Sequence, residues 1–208
     1  MMRLYGELGW GSVLVEAQLV WYGFDYELER VGDLFESADA RAKVAALNPV
    51  AQIPTLILDD GTVMTESAAI TLYLADLAQS ATLVPDAEEP QRAAFLRWLI
   101  FTVANIYPTY TYADDPARFV ADPSARESFR QTVQDYAQHL YRILEQHASS
   151  PWFLGGRFSA LDIYVCAMTR WRPRRPWFAE HAPRLTSIAV AADELPALKS
   201  VWAKNFEP

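Results

Sequence analysis

The chain has 208 residues, of which 51% are hydrophobic, and a formal net charge of −8. This proportion of hydrophobic residues excludes intrinsic disorder and is enough for one or two folded domains. The negative charge lies in residues 1–78, which contain four basic and twelve acidic residues, whereas residues 79–208 contain fourteen of each. An acidic domain repels phosphate backbones, so we expect no nucleic acid partner.

The sequence shows no sign of secretion or membrane insertion. Residues 1–20 lack a basic amino-terminal region, and Glu16 and Gln18 interrupt their apolar stretch, so neither a signal peptide nor a membrane helix fits. Cys166 is the single cysteine, which excludes an internal disulfide bond and is typical of a reducing compartment. We therefore expect a cytoplasmic protein without a membrane partner.

Hydrophobic periodicity predicts alternating strands and helices in the first part of the chain. In chain order these are strand 3–6, helix 13–23, strand 26–31, a looser helical stretch 38–47, strands 55–58 and 62–64, and helix 66–78. Asp60-Gly61, between the last two strands, is a strong signal for a hairpin turn. This βαβ-α-ββα order predicts a thioredoxin-like α/β domain at residues 1–78.

The second part of the chain is predicted to be all helical. Residues 79–90 are polar and contain prolines, so we interpret them as a linker. Beyond them, apolar residues recur at spacings of four, three, four and four positions, the stripe of an amphipathic helix. This stripe consists of Phe129, Val133, Tyr136, Leu140 and Leu144. We predict a helical-bundle domain at residues 91–208.

Phe158-Ser159-Ala160-Leu161-Asp162-Ile163 has the pattern of a helix start. Ser159 at the N-cap and Asp162 three residues later form a capping box, and the apolar residues Phe158 and Ile163 form a hydrophobic staple around it. We expect a structural role for this segment and no part in catalysis.

The segment Asn48-Pro49-Val50-Ala51-Gln52-Ile53-Pro54-Thr55-Leu56 leads into a predicted strand. A proline removes one backbone donor, and a cis bond before it turns the N–H and C=O of the preceding residue away from the sheet. Those groups of Ile53 then become available to an extended peptide, which binds as an added strand. The segment is interpreted as one half of a peptide-binding cleft.

The segment Thr65-Glu66-Ser67-Ala68-Ala69-Ile70 supplies the other half. The apolar spacing that follows predicts a helix beginning near Glu66. The first N–H groups of a helix lack partners inside the helix and carry the positive end of its dipole. We therefore expect the N–H groups of Ser67 and Ala68 to hold a carboxylate.

Ile53-Pro54 and Glu66-Ser67 resemble, in order and separation, the Val-Pro and Glu-Ser elements of the cytosolic glutathione transferases. In that family the proline is cis, the residue before it pairs with the cysteinyl backbone of glutathione, and the acid and serine hold the γ-glutamyl end. The resemblance implies that Gln52, Ile53, Pro54, Glu66 and Ser67 bind glutathione. It also implies a thioredoxin-like domain followed by a helical domain, a homodimer, and no metal.

The resemblance implies an enzyme that promotes attack of the glutathione thiolate on small hydrophobic electrophiles, as in detoxification. A glutathione-dependent reductase, peroxidase or isomerase is one alternative, and a non-catalytic ligand-binding protein is another. The sequence has no Cys-x-x-Cys motif, which argues against glutaredoxin-type chemistry.

Ser12 is the predicted catalytic residue, because its hydroxyl would open the first helix next to the thiol. Tyrosine-using members of the family carry Tyr where this chain has Gly6, and cysteine-using members carry Cys where it has Trp10 and Gly11. A plain helix N-cap is the alternative for Ser12. In that case a backbone N–H or Tyr107 would stabilise the thiolate.

Four residues are predicted to meet the second substrate: Trp10, Asn105, Tyr107 and Tyr110. The three residues of the helical domain are expected where its first long helix faces the cleft, although core packing or a dimer contact is an alternative for each. The segment 170–177 alternates arginines with indoles. It is interpreted as stacked arginines at a helix end, ion-paired with the acidic first domain, or as an anion-binding rim for a charged cosubstrate.

Overall fold

A computed structural model describes residues 1–206 of the chain and shows two compact units. The first unit contains residues 1–84 together with the chain from Ala191 onward, and the second contains residues 85–190. The division falls within the predicted linker. The return of the last helix to the first unit differs from the prediction, which placed all of residues 91–208 in the helical domain. Local periodicity shows that a segment is helical but not which unit it packs against.

The first unit has seven regular elements before its final helix: β1 (Met2–Gly6), α1 (Val13–Tyr22), β2 (Tyr26–Arg30), α2 (Ala38–Ala45), β3 (Thr55–Ile57), β4 (Val63–Met64) and α3 (Ser67–Ala78). The strands form one sheet in the order β2-β1-β3-β4. β1 runs parallel to β2 and antiparallel to β3, and β3 runs antiparallel to β4. This confirms the predicted thioredoxin-like α/β domain.

Two apolar clusters cover the two faces of the sheet, because successive side chains of a strand point to opposite faces. Leu4 of β1 belongs to the cluster that contains residues of α1 and α3, and Tyr5 belongs to the cluster that contains α2. β1 and β4 run in the same direction, and each is followed by a helix on the first face. Consequently α1 and α3 both begin at the edge of the sheet where β1 and β4 end.

The second unit is helical, as predicted. Its α-helices are α4 (Arg92–Phe101), α5 (Tyr107–Asp114), α6 (Arg126–His147), α7 (Ala160–Met168), α8 (Arg175–His181) and α9 (Pro183–Asp193). The boundary between the units falls within α9, and α10 (Lys199–Phe206) belongs to the first unit. All nine residues of α7 are buried. Within residues 1–206, no helix is both long enough and apolar enough to cross a membrane.

Two local features of the helical unit follow from the sequence. The capping box of Ser159 and Asp162 is formed at the start of α7, which confirms that prediction. A π-helical turn (Thr102–Ile106) joins α4 to α5 and brings Pro108 into the first turn of α5. Proline is tolerated there because the N–H groups of a first helical turn have no partner inside the helix.

Candidate functional site

Three segments of the first unit adjoin at the edge of the sheet where β1 and β4 end. The last ladder pairs there are Tyr5 with Thr55 and Leu56 with Met64. Extending these two registers past the strand ends places Gly6 on one side of Pro54 and Glu66 on the other. The loop after β1, the Ile53-Pro54 bond and the start of α3 therefore form one row.

The Ile53-Pro54 peptide bond is cis. The segment before it is held from inside by the buried side chain of Asn48, whose Nδ2 donates to the Gln52 carbonyl at 3.0 Å. The Thr55 hydroxyl donates to the same carbonyl at 3.0 Å. The Gln52 carbonyl thus faces the protein interior. Asn48 was not among the predicted site residues, although Asn-Pro is a sequence signal for a turn.

An apolar wall stands beside this bond. The half-buried side chains of Ile53 and Trp10 pack against the core cluster that contains Tyr5 and Val31. The Trp10 ring also lies 5.3 Å from the ring of Phe35, centroid to centroid. The structure therefore brings two of the predicted site residues, Ile53 and Trp10, onto the same cluster.

Glu66 and Ser67 lie at the start of α3, close to the predicted helix boundary. Glu66 is exposed and holds φ 64 and ψ 101 at the N-cap position, and its side chain makes no capping hydrogen bond. A backbone conformation of this kind costs about 1–3 kcal/mol in a residue other than glycine and is found preferentially at binding sites. Within residues 1–206, nothing accepts a hydrogen bond from the N–H of Ser67 or Ala68. The start of α3 therefore offers free donors beside an exposed carboxylate.

The Ser12 hydroxyl has a different environment from the one predicted. Ser12 is 2% exposed. Its Oγ accepts a hydrogen bond from the N–H of Glu7 at 3.1 Å and donates one to the carbonyl of Glu7 at 3.0 Å. Its only proton is therefore already donated to the backbone. Ser12 also makes no side-chain capping bond to α1. This geometry supports neither a thiol donor nor a plain N-cap, because the hydroxyl closes the loop between β1 and α1.

At Gly6, the last residue of β1, there is no space for a tyrosine side chain. A Cβ atom added at Gly6 would lie 2.4 Å from both Cβ and Oγ of Ser12, a distance that no packing tolerates. Ser12 occupies the space that a larger residue at position 6 would need. The two positions are therefore coupled.

The Glu7 carboxylate anchors the same loop and was not predicted. It is buried, and it accepts hydrogen bonds from Arg30 Nε at 2.8 Å, from the N–H of Gly32 at 2.8 Å and from the N–H of Leu8 at 3.1 Å. Burial alone would raise the pKa of Glu7, but the hydrogen bonds from Arg30 and from the two backbone N–H groups outweigh it and hold the pKa below its ordinary value. Glu7 is therefore ionised and holds the loop against β2.

The loop leaves two backbone donors without acceptors at the start of α1. The N–H groups of Trp10, Val13 and Leu14 are bonded within the loop and first turn. Within the described part of the chain, no group accepts the N–H of Gly11 or of Ser12. The start of α1, like the start of α3, therefore has unpaired N–H groups at the positive end of a helix dipole.

In the helical unit, the Tyr107 side chain lies among aromatic rings. Its ring packs edge-on against Tyr110 and Trp171 at centroid distances of 6.1 and 5.9 Å. Its hydroxyl is buried and has no hydrogen-bond partner among residues 1–206. Burial raises the pKa of Tyr107 well above its ordinary value, so the hydroxyl stays protonated.

Tyr110 and Asn105, the other two predicted residues of this unit, make internal hydrogen bonds. The Tyr110 hydroxyl bonds the Tyr141 hydroxyl at 2.5 Å and the Arg172 carbonyl at 3.1 Å. Asn105 Nδ2 donates to the Phe101 carbonyl at 3.1 Å in the π-helical turn. The hydroxyl of Tyr110 and the amide of Asn105 therefore serve the fold of the helical unit.

A pocket of about 240 Å³ opens in the helical unit, between α5 and α6. Tyr110, Gln134, Gln138 and Arg172 supply its polar lining. The Arg172 guanidinium is ion-paired with Asp114 at the end of α5. This ion pair lies within the helical unit, whereas the prediction paired the arginines of the segment 170–177 with the acidic first domain.

Cys166 is buried in α7 of the helical unit. In the described part of the chain, no group of three or more His, Cys, Asp or Glu side chains is placed to hold a metal ion.

Comparison with known proteins decides the family. Residues 15–77 match the model of the glutathione S-transferase N-terminal domain. The chain is 35% identical over 206 residues to the uncharacterized GST-like protein YncG of Escherichia coli K12, which covers 99% of this chain and 98% of YncG. The chain belongs to the glutathione S-transferase family.

Two further relatives of this glutathione S-transferase family member indicate the range of the family. The disulfide-bond oxidoreductase YfcG of Escherichia coli K12 is 32% identical over 76% of this chain and 74% of its own. The crystal structure of a glutathione transferase homolog from Sulfitobacter, with bound glutathione, matches with a TM-score of 0.86 and 25% identity over 98% of each chain. The row of Gly6, Pro54 and Glu66 thus belongs to a fold that binds glutathione in a solved relative.

Proposed function

We propose that this protein binds glutathione at the row formed by the loop after β1, the Ile53-Pro54 bond and the start of α3. The observation that carries the proposal is the strand register, which sets Gly6 and Glu66 on either side of Pro54. A tripeptide needs a backbone partner for its middle residue and anion contacts for its carboxylates. The row supplies both within one unit.

Each segment of the row has a proposed function in binding. The backbone of Ile53 pairs with the cysteinyl residue of glutathione as an added strand, while Gln52 and Pro54 shape the approach. The Glu66 carboxylate receives the γ-glutamyl ammonium group, and the free N–H groups at Ser67 and Ala68 receive its carboxylate. Trp10 covers the thiol side of the site.

We assign thiolate stabilisation to the backbone N–H groups of Gly11 and Ser12. Lowering a thiol pKa by about two units requires roughly 2.7 kcal/mol. One hydrogen bond to a charged group contributes about 1.5–3 kcal/mol, and the start of a helix adds about 0.3–1 kcal/mol. Two unpaired N–H groups at the start of α1 are therefore sufficient, and the Ser12 hydroxyl is not needed for this purpose.

The proposed reaction is attack of the bound thiolate on a small hydrophobic electrophile. Positioning and stabilisation of the thiolate supply the rate. A glutathione-dependent disulfide reductase is the second candidate, because YfcG is named a disulfide-bond oxidoreductase. Parallel assays with an aromatic halide and with a glutathione mixed disulfide separate the two reactions.

We also propose a cytoplasmic homodimer that takes part in detoxification. Exposed apolar side chains support a dimer: Tyr73 and Leu77 lie one turn apart on α3, and Ile100 and Tyr136 lie on the helical unit. Apolar side chains at this spacing share one helix face, which is suited to an isologous contact.

Calorimetric titration with glutathione tests the binding site. Glu66→Gln removes the charge that receives the ammonium group, so the affinity should fall by roughly tenfold to one-hundredfold. Glu27→Gln, an equal change of charge at an exposed position of the edge strand β2, should leave the affinity unchanged. Equal affinities of folded Glu66→Gln and of the unchanged protein would overturn the proposed site.

A further inference from the structure

Asn205 of α10 joins two segments of the first unit that are far apart in sequence. Asn205 is 9% exposed, and its Oδ1 accepts the N–H of Gly9, in the loop after β1, at 3.1 Å. Its Nδ2 donates to Glu16 Oε2 of α1 at 2.8 Å and to the Val201 carbonyl at 3.0 Å. One side chain thus connects the last helix to α1 and to the loop.

The buried carboxylate of Glu16 fixes the orientation of the Asn205 amide. Glu16 is 1% exposed, and its Oε1 receives the Tyr26 hydroxyl at 2.8 Å and Lys204 Nζ at 2.5 Å. Glu16 Oε2 accepts a hydrogen bond from Asn205 Nδ2, and the amide nitrogen is the donor group of an asparagine side chain. The Oδ1 atom is thereby left for Gly9.

At Gly9 the loop lies directly against α10. It adopts φ +73, and a Cβ atom there would lie 3.2 Å from the backbone oxygen of Asn205. The loop approaches α10 this closely because glycine has no side chain. Gly9 is followed directly by Trp10, Gly11 and Ser12, whose positions decide where the free N–H groups point.

We infer that Asn205 is a positioning residue for the loop between β1 and α1. The loop is anchored at its start by the Glu7 carboxylate, through Arg30 and Gly32, and Asn205 anchors its middle at Gly9. With both anchors in place, the N–H groups of Gly11 and Ser12 keep one direction before a ligand arrives, as a preorganised donor site requires. The consequence for the thiol rests on the proposed function, but the anchoring itself does not.

Hydrogen exchange of the Gly9 amide tests the anchor without glutathione. In Asn205→Ala the Gly9 N–H loses the acceptor Oδ1 of Asn205, and its exchange should accelerate by about tenfold. Lys199→Met is the control, because Lys199 lies on the same helix and its ammonium group pairs with the exposed Glu194. Exchange at Leu56 in β3 reports global unfolding. Gly9 exchange that is unchanged, or that rises only in proportion to Leu56, would overturn the inference.

The ultraviolet absorbance of the thiolate, measured against pH in the glutathione complex, tests the consequence for the thiol. Asn205→Ala should raise the pKa of the bound thiol and reduce kcat more than it changes KM, whereas Lys199→Met should change neither. A thiol pKa that does not move in Asn205→Ala would overturn the positioning of the donors. If the unchanged protein itself does not lower the thiol pKa, the proposed function fails, and the exchange of Gly9 still decides the anchor.

Discussion

The Ser12 hydroxyl bridges both backbone groups of Glu7, accepting its N–H at 3.1 Å and donating to its carbonyl at 3.0 Å. Four residues lie between the two positions, so this pair of bonds closes the loop between β1 and α1 into a ring. The same residue, Glu7, is tied to β2 by its carboxylate. Ser12 therefore acts on the candidate site through the backbone that it holds in place.

Ser12→Ala should lower the free energy of unfolding by about 1–3 kcal/mol, because the N–H of Glu7 loses the Ser12 Oγ acceptor, while the Glu7 carbonyl keeps the N–H of Trp10 at 3.1 Å. Urea unfolding measures this change. Ser128→Ala is the control, since the Ser128 hydroxyl donates to the Ala125 carbonyl at an exposed position, and it should cost less than about 0.5 kcal/mol. If Ser12→Ala instead keeps full stability and no longer forms the glutathione thiolate, the hydroxyl is the thiol donor.

Glu66→Gly should separate the stability of α3 from ligand binding. Glycine adopts φ 64 without a steric penalty, so the substitution should raise the free energy of unfolding by roughly 1 kcal/mol. The same change removes the carboxylate and should weaken glutathione binding by at least about tenfold. Thermal unfolding and calorimetry measure the two effects. A loss of stability on this substitution would show that the backbone at Glu66 is not strained.

The regular elements of the first unit could be predicted because their signals are local. The alternation of Leu4 and Tyr5 between two core clusters, and the helix that starts at Ser67, follow from periods of two and 3.6 residues. The position of α10 could not be predicted in this way. It depends on the bonds of Asn205 to Glu16 and Gly9, which are 189 and 196 residues away in sequence.

The candidate site was predictable where backbone chemistry depends on residue type. The resemblance of Ile53-Pro54 to the family motif implied the cis bond, and the apolar spacing after Glu66 predicted a helix start with free donors. The sequence also showed that Ser12 carries a hydroxyl near α1. It did not show that this hydroxyl donates its hydrogen bond to the backbone carbonyl of Glu7, since hydrogen-bond partners in a loop depend on the folded path of the chain.

Tyr107→Phe and Tyr110→Phe should differ in their effects on stability. Tyr107→Phe removes a buried hydroxyl without a partner in the described residues, so it should leave the free energy of unfolding within about 0.5 kcal/mol. Tyr110→Phe breaks bonds to Tyr141 and Arg172 and should cost about 1–3 kcal/mol of stability. Urea unfolding of both variants provides the readout. Equal losses of stability in the two variants would contradict the structural role of the Tyr110 hydroxyl.

Asp162 should make the stability of the helical unit depend on pH. Burial raises the pKa of Asp162 to about 6 from its ordinary 3.8, in spite of hydrogen bonds from Phe153 and Ser159. The folded state therefore keeps this proton at pH values where the unfolded state has released it. The contribution of the group is complete below its unfolded pKa and is lost as the pH rises through about 6.

The difference in unfolding free energy between the unchanged protein and Asp162→Asn isolates this effect, because the contributions of the other carboxylates are the same in both proteins and cancel. Asp162→Asn should be less stable at every pH, since it cannot reproduce the capping box. Loss of the cap should cost about 0.5–2 kcal/mol. The deficit should be larger near pH 5 than near pH 7, by at most about 3 kcal/mol. A deficit that grows with rising pH would show that hydrogen bonding to the carboxylate outweighs its burial.

The exposed apolar face of α3 leads to a prediction about assembly. Tyr73 and Leu77 are 37% and 46% exposed, and burying them against a second copy would remove apolar area from water. Light scattering at low micromolar concentration should therefore give twice the chain mass of 23.5 kDa. Leu77→Glu should yield monomers, whereas Val190→Glu, at another exposed apolar position, should not.

Raising the salt concentration should weaken the dimer, since attraction between the acidic first part of one chain and basic groups of its partner is screened beyond about 8–10 Å. A mass near 23.5 kDa for the unchanged protein would contradict the dimer and leave Tyr73 and Leu77 as solvent-exposed side chains of a monomer.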